Sequence, residues 1–361
     1  MTENIIVDEK YHERVSNIKE ALSRHTAFWE RDETDRPLLR IYDEEHWKPY
    51  ESYVDVNGEE LTGKYEIKRG LFDHRRTLQP YLPSGAVLSQ DMLKGCGAYD
   101  LCYTELILGC RVFRTGPSVS PSSFLQSWSD VDKMNWNGFS PWFDEIASII
   151  AVLKEELGNN YPITQPLFRG PFDMAEAAVP TEMLFTGFYE EPERIRKLLS
   201  LCTDIFIDTV KFWYSNTPDF HGGHVIRDMS GLWAPGIPVM FQEDAMKNIS
   251  KDMYFEFIKD QDERISENFD YPIIHTHSGS HHIYPVLAEE KKLKAVEIAI
   301  DPPPFGPDLE DFISDLMMLQ AAGKALLIEG EITEGQINSL LNNLEHNGLA
   351  LNVRLLVSQM S

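Results

Sequence analysis

The feature that most constrains the fold of this chain is an alternation of short apolar segments with longer amphipathic ones. Towards the C-terminus, strands are predicted at 238–241, 271–277, 295–300, 325–329 and 349–356. Helices are predicted between them at 251–268, 308–322 and 333–345. A repeat of roughly 25–35 residues is typical of βα units, in which a helix connects two parallel strands. Many successive units favour an α/β fold of the (β/α)8 TIM-barrel type over an open sheet. No Gly-x-Gly-x-x-Gly turn for a dinucleotide is present.

The first 84 residues do not follow this pattern. Residues 1–35 are charged and predicted to be helical, with a packing stripe of Val15, Ile18, Leu22 and Phe28. A strand is predicted at 38–42, and residues 43–84 are rich in Tyr, Glu, Pro and Gly. We therefore expect residues 1–84 to form a helical or irregular extension packed on a barrel of residues 85–361.

Composition restricts the classes of partner. The formal net charge of -25 argues against nucleic acid and against an anionic membrane surface, because both need concentrated Lys and Arg. No apolar run approaches the roughly 20 residues of a membrane-spanning helix, and the N-terminus lacks the features of a secretory signal, so we expect a cytoplasmic protein. The four cysteines are few and irregularly spaced, which favours reduced, packed thiols.

Two histidines stand two residues apart in the predicted strand 271–277. Side chains at i and i+2 of a strand share a face, so His275 and His277 should point the same way and Thr276 the other. Ser278-Gly-Ser then ends the strand, as a βα turn would. The pair suits a metal site or an acid/base site. The alternative is a pair of hydrogen-bonded core histidines.

Other polar residues lie where predicted strands end, which is where barrel enzymes carry their chemistry. Two imidazoles and one carboxylate form a common catalytic zinc set, so His275 and His277 are candidate metal ligands with Asp244 or Glu329. We assign catalytic roles to His275, Asp244 and Arg169. Substrate-binding roles are assigned to Arg227, His224 and Glu243. Alternatively, the carboxylates cap helices and Arg169 clamps neighbouring carbonyl groups.

Three segments resemble the uroporphyrinogen decarboxylase superfamily, including its cobalamin-dependent methyltransferase branch. Arg169-Gly-Pro-Phe-Asp-Met-Ala is similar to a Gly-Pro-Phe/Thr segment that follows an early barrel strand in that family. The segment 242–259 resembles its Asp-Asp…Ile-Ser-Pro-x-x-Tyr-x-Glu-Phe segment, and His275-Thr-His-Ser-Gly resembles the His-x-Cys-Gly segment on which methyltransferase members hold zinc. The resemblance spans about residues 85–361 and implies a (β/α)8 barrel.

The chain departs from that family at two points. The decarboxylase's arginine-rich segment, which binds substrate carboxylates, has no counterpart here. His277 replaces the cysteine of His-x-Cys, and the late strand carries Glu329-Gly-Glu331 without a cysteine. A set of histidines and carboxylates is harder than a thiolate set and leaves zinc more Lewis-acidic, which suits an oxygen or amine substrate, or water, better than a thiol.

The leading functional hypothesis is a metal-dependent methyltransferase acting on a small-molecule substrate. The resemblance implies a divalent metal, with zinc favoured, and a corrinoid as methyl carrier. That corrinoid would be carried on a separate protein, because the chain has no Asp-x-His-x-x-Gly motif for cobalamin. Two alternatives stay open: a metal-free decarboxylase or lyase using His275 or Asp244 with Arg169 or Arg227 as a carboxylate anchor, and a non-catalytic ligand-binding barrel. Assembly as a homodimer also stays open.

Overall fold

Six parallel strands form the main sheet, and helices from the βα connections cover one of its faces. The computed structural model describes residues 15–42, 52–227 and 229–356. The strands within these residues are β1 (Leu38–Tyr42), β2 (Tyr53–Val54), β3 (Glu60–Leu61), β4 (Lys64–Glu66), β5 (Leu88–Ser89), β6 (Met92–Leu93), β7 (Arg111–Thr115), β8 (Ser118–Ser122), β9 (Thr164–Gln165), β10 (His224–Ile226), β11 (Leu232–Ala234), β12 (Pro238–Gln242), β13 (Tyr271–His277), β14 (Ala295–Ile300), β15 (Ala325–Ile332) and β16 (Leu349–Leu355).

The helices follow the amphipathic segments of the sequence. They are α1 (Ile18–Glu30), α2 (His74–Leu78), α3 (Tyr103–Leu108), α4 (Trp128–Val131), α5 (Trp142–Leu157), α6 (Pro171–Ala178), α7 (Thr181–Glu190), α8 (Pro192–Asn216), α9 (Lys251–Met253), α10 (Lys259–Glu267), α11 (Tyr284–Glu289), α12 (Leu309–Ala321) and α13 (Glu334–Asn343). A π-helical turn at Tyr254–Ile258 joins α9 to α10. Ser250 caps α9 by accepting a hydrogen bond from the Met253 amide, as its position in the sequence predicts.

The order of the main sheet is β1-β16-β15-β14-β13-β12. From β12 to β16 neighbouring strands are consecutive along the chain and parallel, which confirms the predicted βα units. The strand at the other edge is β1, which pairs with β16 over its whole length. Residues 38–42, which the predicted N-terminal extension includes, are therefore part of the sheet itself.

The two faces of this sheet carry different side chains. We call one face of the sheet the inner face. It carries Leu38, Met240, Ile273, Leu327 and Ala350, which pack together in one apolar cluster. The outer face carries the alternate residues, including Val239, Phe241, Ile274, Val296 and Ile328, which belong to the large core that also contains the helices. Because side chains alternate along a strand, a residue's parity decides which of the two environments it enters.

The remaining segments of the chain lie beside the sheet. β9, β10 and β11 form a small sheet of their own, and a parallel bridge pairs Arg169, just beyond β9, with Gln242 at the end of β12. Helix α1 is fixed to β11, because the Trp29 indole donates to the Trp233 carbonyl oxygen at 2.8 Å. The expected irregular segment 43–84 contains short strands and α2 in its described part, 52–84; residues 1–14 and 43–51 lie outside the described residues.

Among the helices in the described ranges, none combines the length and the apolar character needed to cross a bilayer.

Candidate metal centre

The two histidines of β13 lie side by side on the inner face. Their ring centroids are 5.1 Å apart and their planes are nearly perpendicular, at 88°. Thr276 points to the opposite side, where its hydroxyl donates to the Glu297 carbonyl oxygen at 2.9 Å and contacts the Tyr284 hydroxyl at 3.2 Å. The alternation predicted for residues 275–277 is confirmed.

Asp244 brings a carboxylate to both imidazoles. It lies two residues beyond the end of β12, and its Oδ1 is 3.9 Å from Nε2 of His275 and 3.6 Å from Nε2 of His277. Gln242 donates to the other oxygen, Oδ2. Asp244 Oδ1 is buried and has no hydrogen-bond partner within the described part of the chain. A buried carboxylate oxygen in this state is costly, so it indicates a missing ligand.

Each imidazole is held by a second carboxylate through its other nitrogen. Nδ1 of His275 lies 3.0 Å from Glu297 Oε1, and Nδ1 of His277 lies 2.9 Å from Asp301 Oδ1. A carboxylate at Nδ1 places the ring proton there and leaves the lone pair on Nε2. Histidines that bind metals are held in the same way in most proteins.

Burial also favours the neutral form of His275. It lowers the pKa of this imidazole to about 4, and the positive charge of Arg227 acts in the same direction. The ring is therefore neutral near pH 7, which is the state that a metal ligand or a general base requires.

The residues present fit a divalent metal. One donor atom from each of Asp244, His275 and His277 can be chosen so that all three lie within 4.8 Å of one another. Two donors bound tetrahedrally to zinc are about 3.3 Å apart, so the observed separations of 3.6 and 3.9 Å from Asp244 Oδ1 exceed this by a few tenths of an ångström. Three protein donors would leave at least one coordination position for a substrate.

Arg227, predicted to bind substrate, lies behind His275 instead. It is buried, and its Nη1 is 3.5 Å from Glu297 Oε1, the same oxygen that holds His275. Its guanidinium also contacts the sulfur atoms of Met240 and Met229. The structure therefore brings Arg227 to the candidate site as the counter-ion of Glu297.

Glu329, predicted as an alternative metal ligand, lies outside the group of three. Its Oε1 accepts a hydrogen bond from Asn352 Nδ2 at 2.6 Å, and Asn352 Oδ1 accepts one from Arg40 Nε at 2.6 Å. Burial, and next the charge of Glu297, raise the pKa of Glu329 to about 8. The carboxyl of Glu329 is thus engaged by Asn352 and is not among the three donors that converge.

Glu243 and His224, both predicted to bind substrate, are not brought to the site. Glu243 lies on the outer face and is fully buried, and its carboxylate accepts hydrogen bonds from the amides of Phe172 and Asp173 at the start of α6. It therefore caps a helix, which was the alternative for carboxylates at strand ends. His224 begins β10, at the opposite end of that strand from Arg227, and packs against the Tyr214 ring at 4.7 Å.

Arg169, predicted to be catalytic, stands next to the group without belonging to it. Its backbone pairs with that of Gln242, and its Nη1 donates to Glu105 Oε1 of α3 at 3.0 Å. Glu105 is fully buried, while 24% of the Arg169 side chain is exposed.

The sequence-based assignment omitted several residues that the site uses. Glu297, Gln242, Asn352 and Asp301 are absent from the predicted set. A signal for two of them was present, because Glu297 is the one polar residue of β14 and Asn352 follows three apolar residues at the start of β16. Such a residue is buried at a cost unless it has a specific partner.

Comparison with known proteins gives a likeness in structure only. No protein-family model and no curated protein sequence matches this chain. Among solved structures, a methyltransferase from Methanosarcina mazei matches with a TM-score of 0.55 and 11% sequence identity, over 93% of this chain and 93% of that chain. At so low an identity the likeness concerns the fold, and it extends over nearly the whole length of both chains.

Proposed function

We propose that this protein is a metal-dependent methyltransferase in which Asp244, His275 and His277 hold a divalent cation, with zinc the favoured metal. One observation carries the proposal. Nε2 of both histidines and the unpartnered Oδ1 of Asp244 converge, while both Nδ1 atoms are held by carboxylates. The structural likeness to a methyltransferase supports the choice of reaction class.

The proposal includes a closed (β/α)8 barrel of the uroporphyrinogen decarboxylase type. Backbone contacts in the described residues support closure beyond the six strands. The Asp91 amide donates to the Leu39 carbonyl oxygen of β1, Cys96 bridges to Ile163 in parallel, and Arg169 bridges to Gln242 of β12. These contacts connect β1 to β12 through two further extended segments, which is the connection that a barrel needs.

The residues of the site would have different roles in this reaction. A bound divalent metal supplies Lewis acidity, which polarises an oxygen or amine group of the substrate. Asp244, His275 and His277 would hold it, and Glu297 and Asp301 would keep the two imidazoles in the required tautomer and orientation. The methyl group would move to or from a corrinoid carried by a separate protein.

Elemental mass spectrometry on purified protein tests the metal site. We expect about one equivalent of divalent metal in the native protein, and loss of it in Asp244→Asn, His275→Ala and His277→Ala. His281→Ala is a matched control, because His281 is held by Asp315 at 2.8 Å just as His277 is held by Asp301, but lies outside the group. Metal retained in both His275→Ala and His277→Ala would contradict the proposed ligand set.

A methyl-transfer assay tests the reaction. Metal-loaded protein is mixed with methylated amines or ethers and with free or protein-bound cob(I)alamin, whose spectrum reports methylation. Absence of any transfer would refute this part of the proposal. Activity that survives chelation but is abolished in His275→Gln would instead support a metal-free lyase, and a ligand that copurifies unchanged would support a binding protein.

A further inference from the structure

We infer that the substrate of the Asp244–His275–His277 group carries a carboxylate, and that Arg169 binds it. This inference rests on the proposed function, because it adds a second point of attachment for the same substrate. The expected substrate is a small molecule with a metal-binding amine or oxygen at one end and a carboxylate a few bonds away.

The position of Arg169 in the strand order supports this role. Arg169 pairs with Gln242, and Gln242 pairs with His275 on the next strand. Adjacent strands are about 4.8 Å apart, so the Cα atoms of Arg169 and His275 are separated by roughly 10 Å. Phe168 belongs to the outer core, so the alternation along the segment directs the Arg169 side chain to the opposite side.

The guanidinium of Arg169 has hydrogen-bond donors that the described residues do not use. Nη1 is fixed by Glu105 at 3.0 Å, whereas Nε and Nη2 donate to no group among the residues that the structure describes. One edge of the guanidinium is thus fixed by a buried carboxylate, and part of the side chain is open to solvent. A guanidinium oriented in this way can bind a carboxylate through two parallel hydrogen bonds.

Other arginines near the inner face are less suited to the role. Arg227 pairs with Glu297, and Arg40 donates to Asn352 deep in the fold. Arg354 lies on β16, three strands from β13, and pairs with Glu331 of β15, whereas Arg169 is two strands from β13.

The start of α6 does not offer an alternative anion site. Its free amides at Phe172 and Asp173 already donate to Glu243, at 2.9 and 3.2 Å. An anion arriving beside Gly170 therefore depends on the guanidinium of Arg169 rather than on the helix end.

Matched pairs of small molecules test the inference in metal-loaded protein. The probes are 4-aminobutyrate against butylamine, and 4-hydroxybutyrate against 1-butanol, with dissociation constants measured by calorimetry. We expect each acid to bind roughly tenfold or more tightly than its neutral-tailed partner, as a charged hydrogen-bonded pair would give. In Arg169→Lys, which keeps a charge beside Glu105 but loses the bidentate geometry, we expect most of this preference to disappear.

Two further variants show whether the effect is specific to Arg169. Glu105→Gln leaves the arginine in place but weakens the contact that orients it, so it should reduce the preference for the acids less than Arg169→Lys does. Arg354→Gln removes a partly exposed arginine of β16 and should retain the preference in full. Equal affinity for acid and neutral probe in the native protein would overturn the inference, as would loss of the preference in Arg354→Gln but not in Arg169→Lys.

Metal content measured on the same samples separates this inference from the proposed function. Bound metal with no preference for acids overturns the inference and leaves the proposed metal site standing. If no metal binds, the proposed function fails; a preference for acids that still depends on Arg169 would then support the carboxylate contact by itself.

Discussion

Nδ1 of His275 lies 3.0 Å from Oε1 of Glu297, a residue 22 positions later on the neighbouring strand. The arrangement is repeated one step along, where Asp301, just beyond β14, holds Nδ1 of His277 at 2.9 Å. Two successive inward positions of β13 are thus oriented by the strand that follows. The pairing frees both Nε2 atoms for the ligand that Asp244 Oδ1 also faces.

Removing the charge from Glu297 should weaken metal binding. We expect Glu297→Gln to lower the affinity for zinc by about 10- to 100-fold, as is typical for partners of metal-bound histidines, because the amide holds the ring less strongly. Asp301→Asn should act similarly. Competition with a chromophoric chelator measures the affinity. Asp315→Asn, which perturbs His281 outside the group, is the control and should bind zinc normally.

Arg227 should contribute to stability through Glu297. We expect Arg227→Met to lower the free energy of unfolding by about 3–5 kcal/mol, because it leaves a buried carboxylate without its cation. The double variant Arg227→Met/Glu297→Gln should recover part of this loss, since no charge is then left unpaired. Urea denaturation provides the measurement. Unchanged stability in Arg227→Met, together with weaker substrate binding, would restore the substrate-binding role predicted from sequence.

Glu329→Gln separates a metal ligand from a buried neutral carboxyl. We expect the variant to retain its metal, because Glu329 faces Asn352 rather than the group of three. Its pKa of about 8 lies above the usual 4.5, so the folded state holds an extra proton across that interval. The native free energy of unfolding should therefore fall as pH rises from about 4.5 to 8, and this loss should be smaller in the variant. Loss of metal in Glu329→Gln would reinstate it as a ligand.

Acid should destabilise the metal-free protein through its buried neutral histidines. Burial lowers the pKa of both His275 and His74 to about 4, from 6.5. As pH falls from 6.5 to about 4, the unfolded chain gains protons that the folded chain does not, so this contribution to the free energy of unfolding decreases. Denaturation across this range should show a smaller decrease in His275→Gln and in His74→Gln. If the free energy of unfolding of both variants depends on pH as in the native protein, the lowered pKa values of these two histidines are contradicted.

The contact between Gly170 and β12 should not tolerate a side chain. A methyl group at this position would lie 2.9 Å from the Gln242 carbonyl oxygen and would also overlap the Glu243 carboxylate. We expect Gly170→Ala to lower the melting temperature and to weaken metal binding, because the clash displaces the strand that leads to Asp244. Gly335→Ala is a control at an uncrowded position, where the nearest atom would be 3.9 Å away. A normal metal affinity in Gly170→Ala would show that β12 absorbs the clash.

The sequence does not show which of Glu243 and Asp244 faces the histidines. Both residues follow a predicted strand, and both were candidates for the site. All five residues of β12 are buried, because helices cover its outer face and apolar side chains fill the inner one. A strand buried on both sides lacks the polar and apolar alternation that would show which parity faces the site. Only the pairing of β12 with β13 shows that Asp244 faces the histidines and Glu243 caps α6.

The sequence by itself determined the βα units, the bounds of β13 and the common face of His275 and His277, because these depend on local periodicity. The tertiary structure decided what each charged group pairs with: Glu297 with His275 and Arg227, Glu329 with Asn352, and Arg169 with Glu105. The residues of each pair are 22 to 70 positions apart in the chain. The composition offers many other charged residues that could form such pairs. Strand register and burial select among them, and both arise only when the whole sheet is assembled.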